Sequence, residues 1–424
     1  MAGKEVKKKV GDYVTLQRGN TYSGKLVGEP GPALLGLGSI EPGGGFRPDK
    51  YKTFGGECPA KITLRPGDLY VALKGATKDG SMVGSIAKLP ENIPSGRLTQ
   101  DTARLDFFEK DPEVANHLYW ILRTPQYRQY CGGRVTGSAS ASFSREDFLS
   151  YPIPSITNTT NKLVNVFEAV ETKIELNRRM NATMEAMARA LFQCWFVNFA
   201  PVRAKLDGRQ PVGLDKSTAG LFPARFQNSS VSPIPHGWTL EPVGEVVSCV
   251  GGTTPSTANP EFWEDGIHHW TTPKDFSSLQ SPILIDTDRK ITDAGVAQIS
   301  SGLLPVGTLL LSSRAPVAIN QGFIAMKCNE RATNYFMLNW CQQNMAEIES
   351  RATGTTFAEI SKSNFRPISV VLPSQELMKA FTEKVAPLYT QVTENLYESR
   401  TLAKLRDTLL PKLLSGEIVA LKKK

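Results

Sequence analysis

Residues 133–155, GRVTGSASASFSREDFLSYPIPS, are written a second time in altered form as SRATGTTFAEISKSNFRPISVVLPS, residues 350–374. Both stretches carry Arg-X-Thr-Gly, then small and hydroxyl residues, then Ser-basic-X-polar-Phe, then an apolar run punctuated by proline. Thr136 and Thr353, Ser144 and Ser361, and Phe148 and Phe365 all stand 217 positions apart (353 − 136). A repeat of that period constrains the fold more than any local pattern does. It is too long for a stacked solenoid and asks for one domain-sized unit built twice.

The repeat extends in both directions. Upstream, Ala115 meets Ala332, LRPGDLYVALKG (64–75) resembles LPVGTLLLSSRA (304–315), and VGDYVTLQRGNT (10–21) resembles VGEVVSCVGGTT (243–254). Downstream, NRRMNATMEAMARALFQCWF (177–196) aligns with NLYESRTLAKLRDTLLPKLL (395–414). The stretch 36–62 has no evident counterpart in 257–283. One frame with two different sets of loops describes a scaffold that carries two different readers.

Each copy ends in a long helical segment. From Asn161 to Phe199 there is neither proline nor glycine. A seven-spaced series reads Leu163, Val170, Asn177, Met184 and Leu191, and its neighbour, four residues on, reads Phe167, Ile174, Asn181, Ala188 and Trp195. The second segment gives Phe381, Leu388, Asn395, Leu402 and Leu409, with Val385, Val392, Ser399, Arg406 and Leu413. Such a pattern predicts a coiled-coil pair, with Asn177 and Asn395 at the same step and able to fix register. Helices of ~35–40 residues would span roughly 50–60 Å. Packed antiparallel, they would hold two heads apart and relate them by a pseudo-twofold axis. The expected fold class is therefore α+β: two β-rich globular heads separated by two long antiparallel helices. The expected divisions are 1–155 and 239–374 for the heads, 156–199 and 375–418 for the helices, and 200–238 for a Pro/Gly/Ser-rich linker.

The chain has 424 residues, more than the ~250–300 at which one core stops growing. A net charge of +8 suggests an anionic partner. Six scattered cysteines without a C-x-x-C pair read as reduced thiols of an intracellular, cytoplasmic protein. The basic start has no apolar run behind it, and no stretch reaches the ~18 apolar residues of a membrane span.

Catalytic signatures are missing. There is no phosphate-binding Gly-rich loop with Lys-Ser/Thr, no Asn/Asp-Pro-Pro-aromatic motif, and no H-E-x-x-H among the four histidines. His268 and His269 are adjacent, and neighbours on a strand point apart, so a shared metal is not expected. The residues describe a binder rather than a catalyst. A self-contained nuclease or methyltransferase and a non-DNA helical scaffold remain the alternatives.

With these features in hand, the chain resembles the specificity (S) subunit of type I restriction-modification systems. LAKLRDTLLPKLLSGEI (402–418) is similar to the end of that family's second conserved helix, and LFQCWFVNFAPVRAKLDGR (191–209) to the boundary after its first. WTTPKDF (270–276) and LLSSRAPVAINQGF (310–323) are similar to stretches of one kind of target-recognition domain. The resemblance implies that each head reads one half of an asymmetric, bipartite double-stranded DNA site. It implies two methyltransferase (M) subunits on the helices and restriction (R) subunits beyond them. It places S-adenosylmethionine, ATP and Mg²⁺ on those partners and none in this chain.

Candidate DNA contacts follow from residue type. Phosphate contacts come from cations and hydroxyls, which picks out the repeated element: Arg134, Ser138, Ser140 and Arg145 in one copy, Arg351, Thr355, Thr356 and Lys362 in the other. The competing reading is a structural turn that both heads share. Base edges are read by Arg or Lys at guanine and Asn or Gln at adenine. The candidates there are Lys74, Lys78, Arg97, Lys274, Arg314 and Asn320. Leu191, Phe192, Trp195 and Phe196 surround more of their helix than one partner helix can bury. They and Leu405, Leu409 and Leu413 are the expected M-subunit interface.

Overall fold

A computed structural model describes residues 8–48, 50–75, 80–136, 141–277, 279, 281–312, 323–352 and 360–412. The chain divides into two compact units, Met1–Glu175 with Ser399–Lys424, and Leu176–Glu398. Each unit thus consists of a head and part of both long helices.

In unit 1 the strands are β1 (Val14–Arg18), β2 (Ala33–Leu35), β3 (Lys52–Thr53), β4 (Thr63–Leu64), β5 (Leu69–Ala72), β6 (Ile86–Lys88), β7 (Gly96–Leu98) and β8 (Thr102–Phe107). They form two four-stranded sheets, ordered β1-β8-β5-β6 and β3-β2-β7-β4. The unbroken apolar run LYVA of β5 has a simple cause: the strand is buried on both faces. Leu69 and Val71 enter a core shared with the helices, while Tyr70 and Ala72 enter a second core with Leu35, Leu64 and Leu98 of the other sheet. Helices α1 (Pro112–Ile121) and α2 (Pro125–Gly132) each start with proline behind a capping side chain, Asp111 and Thr124. That arrangement satisfies backbone donors at the helix start and presets its first turn. Helix α3 (Arg145–Leu149) follows, then the long α4 (Asn158–Phe192).

Unit 2 opens with helices α5 (Ala200–Leu206) and α6 (Lys216–Gly220), then a small hairpin of β9 (Phe226–Gln227) and β10 (Ile234–Pro235). Next come β11 (Thr239–Pro242), α7 (Val243–Val246), β12 (Ser248–Val250), β13 (His268–Trp270), α8 (Pro273–Ser277), β14 (Arg289–Ile291) and α9 (Asp293–Ala297). The head closes with β15 (Leu309–Ser312), β16 (Phe323–Lys327), α10 (Asn334–Gln343), α11 (Met345–Ser350), α12 (Lys362–Phe365) and β17 (Ser369–Leu372). Its sheet β12-β16-β15 repeats the order β1-β8-β5 of unit 1. Strands β13 and β14 form a separate antiparallel pair over a small core of Trp270, Ile291 and Ile299.

The second long helix, α13 (Gln375–Leu409), has 35 residues, as does α4. Their first residues differ by 217 (375 − 158), so the helix limits obey the same period as the motifs. Within unit 1, Val164, Phe167 and Val170 of α4 are buried, and Arg406 of α13 reaches Glu171 of α4 at 2.7 Å. Within unit 2 the two helices run antiparallel. Asn177 donates to Glu398 at 2.8 Å, Asn395 donates to Asn181 at 2.8 Å, and Phe192 packs on Phe381. The predicted asparagines are therefore interior: Asn177, Asn181 and Asn395 are all buried. No described helix is long and apolar enough to cross a membrane.

Candidate nucleic-acid interface

The Ser-basic-X-polar-Phe half of the repeated element is structural. Ser144 Oγ accepts the backbone N–H of Asp147 at 2.9 Å and so caps α3, while Phe148 is fully buried. Ser361 accepts the N–H of Asn364 at 3.2 Å and caps α12, while Phe365 is fully buried. The chain then pairs with the start of its own unit. Val10 N–H donates to Tyr151 O at 3.0 Å, and Val243 N–H to Ile368 O at 2.8 Å. The glycine after each valine permits this approach. A Cβ on Gly11 would lie 3.2 Å from Leu149 O, and one on Gly244 would lie 2.8 Å from Arg366 Cβ. Leu149 and Arg366 are themselves 217 apart (366 − 149).

Of the Arg-X-Thr-Gly half, the described Arg134, Thr136 and Arg351 are exposed. In unit 1, Arg134 lies over the Tyr130 ring at 3.8 Å and 3.6 Å from Asp147. Thr136 exchanges backbone hydrogen bonds with Ser142, and Ser142 also bridges to Lys74. Lys74 and Thr136 thus both pair with Ser142, Arg134 stands two residues before Thr136, and Arg145 is exposed at the first position of α3. Lys74 sits 3.8 Å from Asp101. In unit 2, Arg351 pairs with Glu347 at 2.7 Å, and its backbone carbonyl accepts from Asn364 of α12. Lys362 is exposed on that helix, and a Cβ on Gly251 would come 3.1 Å from its Nζ. Lys78, Ser138, Ser140, Arg314, Asn320, Thr355, Thr356 and Leu413 lie outside the described residues.

Two expected base readers are engaged internally. Arg97 is 4% exposed, which corrects its assignment as a reader. Its guanidinium donates to the carbonyls of Glu57, Leu98 and Thr21 and to Asn20 Oδ1, and lies 4.8 Å from the centre of the Phe54 ring. It ties together the loops of the second sheet rather than presenting a fork to solvent. Lys274 is exposed but paired with Asp288 at 2.7 Å, and that hydrogen bond, with the carboxylate's charge, raises its pKa.

The expected partner face on α4 is corrected as well. Phe192, Trp195 and Phe196 are buried in unit 2's own core, where Trp195 meets Phe222 at 5.1 Å and Phe196 meets Phe336 at 5.1 Å and Phe381 at 5.0 Å. Leu191 packs half-buried on the same core, and Leu409 on that of unit 1. Of that set Leu405 is exposed. Sequence reasoning missed a different stripe on α4: Leu176, Met180 and Met187 are exposed at 48%, 39% and 54%. Their spacing of 4 and 7 places them on one helix face.

Polar side chains knit unit 1's head to its share of the helices. Lys88 Nζ and Trp120 Nε1 donate to Glu168, and Arg123 and Arg406 both reach Glu171. Burial opposes ionisation of Glu171, but the two guanidinium groups outweigh it and hold the carboxyl below its usual range. His117 is fully buried, neither ring nitrogen has a partner among the described residues, and burial lowers its pKa to about 4. Among the described residues no cluster of His, Cys, Asp or Glu is placed to hold a metal ion. His268 pairs with Asp293, and His269 lies 3.2 Å from Asp286.

One reader candidate was not picked out from sequence. Arg289 on β14 lies 3.9 Å from the centre of the Trp263 ring and 5.0 Å from that of Trp270.

Residues 235–395 match the family model described as the type I restriction modification DNA specificity domain. The chain is 26% identical over 346 residues to the type I restriction enzyme HindI specificity subunit of Haemophilus influenzae, covering 70% of this chain and 74% of that protein. It is 29% identical over 167 residues to the MjaIX specificity subunit of Methanocaldococcus jannaschii, covering 36% and 38% of the two chains. Among solved structures, a type I restriction-modification system S subunit from M. genitalium aligns over 97% of this chain and 98% of its own, with a TM-score of 0.55 at 13% identity. That likeness is one of fold.

Proposed function

We propose, from the match of residues 235–395 to the type I restriction modification DNA specificity domain and the likeness to type I specificity subunits, that the chain is the DNA sequence-recognition subunit of such a complex. Each unit reads one half of an asymmetric bipartite site. The long helices set the spacer between the halves and dock the methyltransferase subunits. The observation that carries this reading is one frame built twice around unlike loops. The caps and buried phenylalanines recur at the repeat period and each copy has its own close-approach glycine, while residues 36–62 and 257–283 share nothing evident. A duplicated reader is what a two-part site requires.

In this reading Lys74, Arg134 and Arg145 in unit 1, and Arg351 and Lys362 in unit 2, hold the DNA backbone. Phosphate contacts position without carrying sequence information, which suits an element common to both heads. The M subunits meet the exposed Leu176, Met180 and Met187 stripe of α4. The chain itself is non-catalytic: methyl transfer to adenine with S-adenosylmethionine, and ATP- and Mg²⁺-dependent cleavage, belong to the M and R subunits.

The test is methylation of a randomised DNA library by the chain reconstituted with its M subunits, alongside the chain alone with S-adenosylmethionine and Mg²⁺. A two-part methylated motif that appears only with M present is the expected result. Cleavage or methyl transfer by the chain alone would establish a self-contained enzyme instead. Failure to bind DNA selectively in the complex would leave the helical scaffold reading.

A further inference from the structure

Arg289 and Trp270 are direct cross-strand partners in the β13–β14 pair. The guanidinium lies over both the Trp270 and Trp263 rings, and the two indoles meet edge to face at 4.8 Å. A stacked guanidinium loses freedom of rotation but keeps its in-plane N–H edge available, so its donors are presented as a preset fork.

The surrounding cations are differently placed. Lys274 is held by Asp288, Lys290 by Asp286 and His268 by Asp293, each at 2.7 Å. The side chain of Arg289 makes no hydrogen bond or ion pair with any described residue; its contacts are the two rings. It is half-buried, so part of its hydration is already gone. A desolvated fork without an acid is arranged to meet an acceptor pair from outside the chain.

Two acceptor pairs on DNA fit such a fork: two oxygens of a phosphate, or O6 and N7 of guanine in the major groove. The location decides between them. Both indoles lie within 257–283, the stretch with no counterpart in the first half of the chain. A platform peculiar to one head suits a contact that specifies, whereas backbone contacts belong to what the heads share. We propose that Arg289 reads a guanine of the half-site recognised by unit 2, with Trp263 and Trp270 as its stacking platform. This rests on the proposed DNA-reading function of unit 2.

The experiment compares the reconstituted complexes of the parent, Arg289→Lys and Arg289→Ala on a randomised DNA library, reading methylated motifs and the salt dependence of binding. Lysine keeps the charge and loses the fork, so both variants should relax one guanine position of one half-site. Discrimination there should fall about 5- to 150-fold, as expected for loss of a bidentate base contact. The other half-site should be unchanged. Trp263→Leu, which removes the nearer ring but leaves the arginine, should relax the same position less. Uniform weakening at all sequences in Arg289→Ala, with a shallower salt slope and an unchanged motif, would identify a phosphate contact and overturn the assignment. So would a motif unchanged in every variant at parental affinity. A parent complex that shows no motif at all would refute the DNA-reading function itself, and the assignment with it.

Discussion

Replacing His117 by leucine should remove an acid sensitivity built into unit 1. The imidazole is fully buried on α1, neither nitrogen has a described partner, and its pKa falls from 6.5 to about 4. Between those values the unfolded chain binds a proton that the folded chain refuses, so stability falls as the pH drops through that window. Above pH ~6.5 this group contributes no pH dependence. The shift corresponds to ~3 kcal/mol by the time pH ~4 is reached. For a unit of about 200 residues that is a fall in melting temperature of roughly 6–12 °C. His117→Leu removes the titration and leaves no described donor or acceptor orphaned, because the imidazole has no partner among the described residues. The assay is thermal unfolding of parent and variant at half-unit steps from pH 4 to 8, followed by circular dichroism or calorimetry. Other carboxylates titrate in both proteins, so the difference between the two curves isolates the histidine. It should be flat above pH 6.5 and open steadily below. Parallel curves across the whole range would show that His117 is satisfied in the folded state and that the reasoning fails.

Three further outcomes are expected. Glu171→Gln removes the carboxylate between Arg123 and Arg406, and because the site is about a third exposed and partly screened it should cost unit 1 about 1–2 kcal/mol in urea unfolding; no measurable loss would mean the two guanidinium groups are as well satisfied by water. Gly244→Ala should destabilise more than Gly11→Ala, since the new Cβ falls 2.8 Å from Arg366 Cβ in one case and 3.2 Å from Leu149 O in the other; melting temperatures in the reverse order would contradict the close-approach account. Met180→Asp should reduce co-purification with the proposed M-subunit partner while leaving unfolding of the isolated chain unchanged, and normal assembly would move the proposed contact elsewhere.

What could be read from sequence was what local chemistry writes directly. A helix cap needs a short hydroxyl, a core anchor needs a large apolar ring, and a close backbone approach needs glycine. Ser144 and Phe148 and their counterparts Ser361 and Phe365 marked the frame as a repeated motif, while the cap, the core anchor and the close approach at Gly11 and Gly244 are visible in the structure. The seven-residue spacing announced the long helices and placed Asn177 and Asn395 inside. It could not say what covers the remaining faces. Trp195 and Phe196 have the look of an exposed interface on a helical wheel, and only the packing of α10 and α13 shows that the head itself buries them. Arginines were misjudged for a related reason. Burial of Arg97 depends on two loops, around Asn20 and Glu57, meeting strand β7 from far away in sequence, and the stack beneath Arg289 depends on the register of two strands. Neither is a property of neighbouring residues.

The small core of Trp270, Ile291 and Ile299 is distinct from the large core that joins the unit 2 head to its part of the helices. Substitutions at sites that share no contacts act nearly independently on stability. Side chains carried on the β13–β14 pair can therefore change without disturbing the packing around Phe336 and Phe381. For a chain of this kind, novelty at the reading surface and integrity of the frame are separately inherited traits, and selection can explore the first while leaving the second alone.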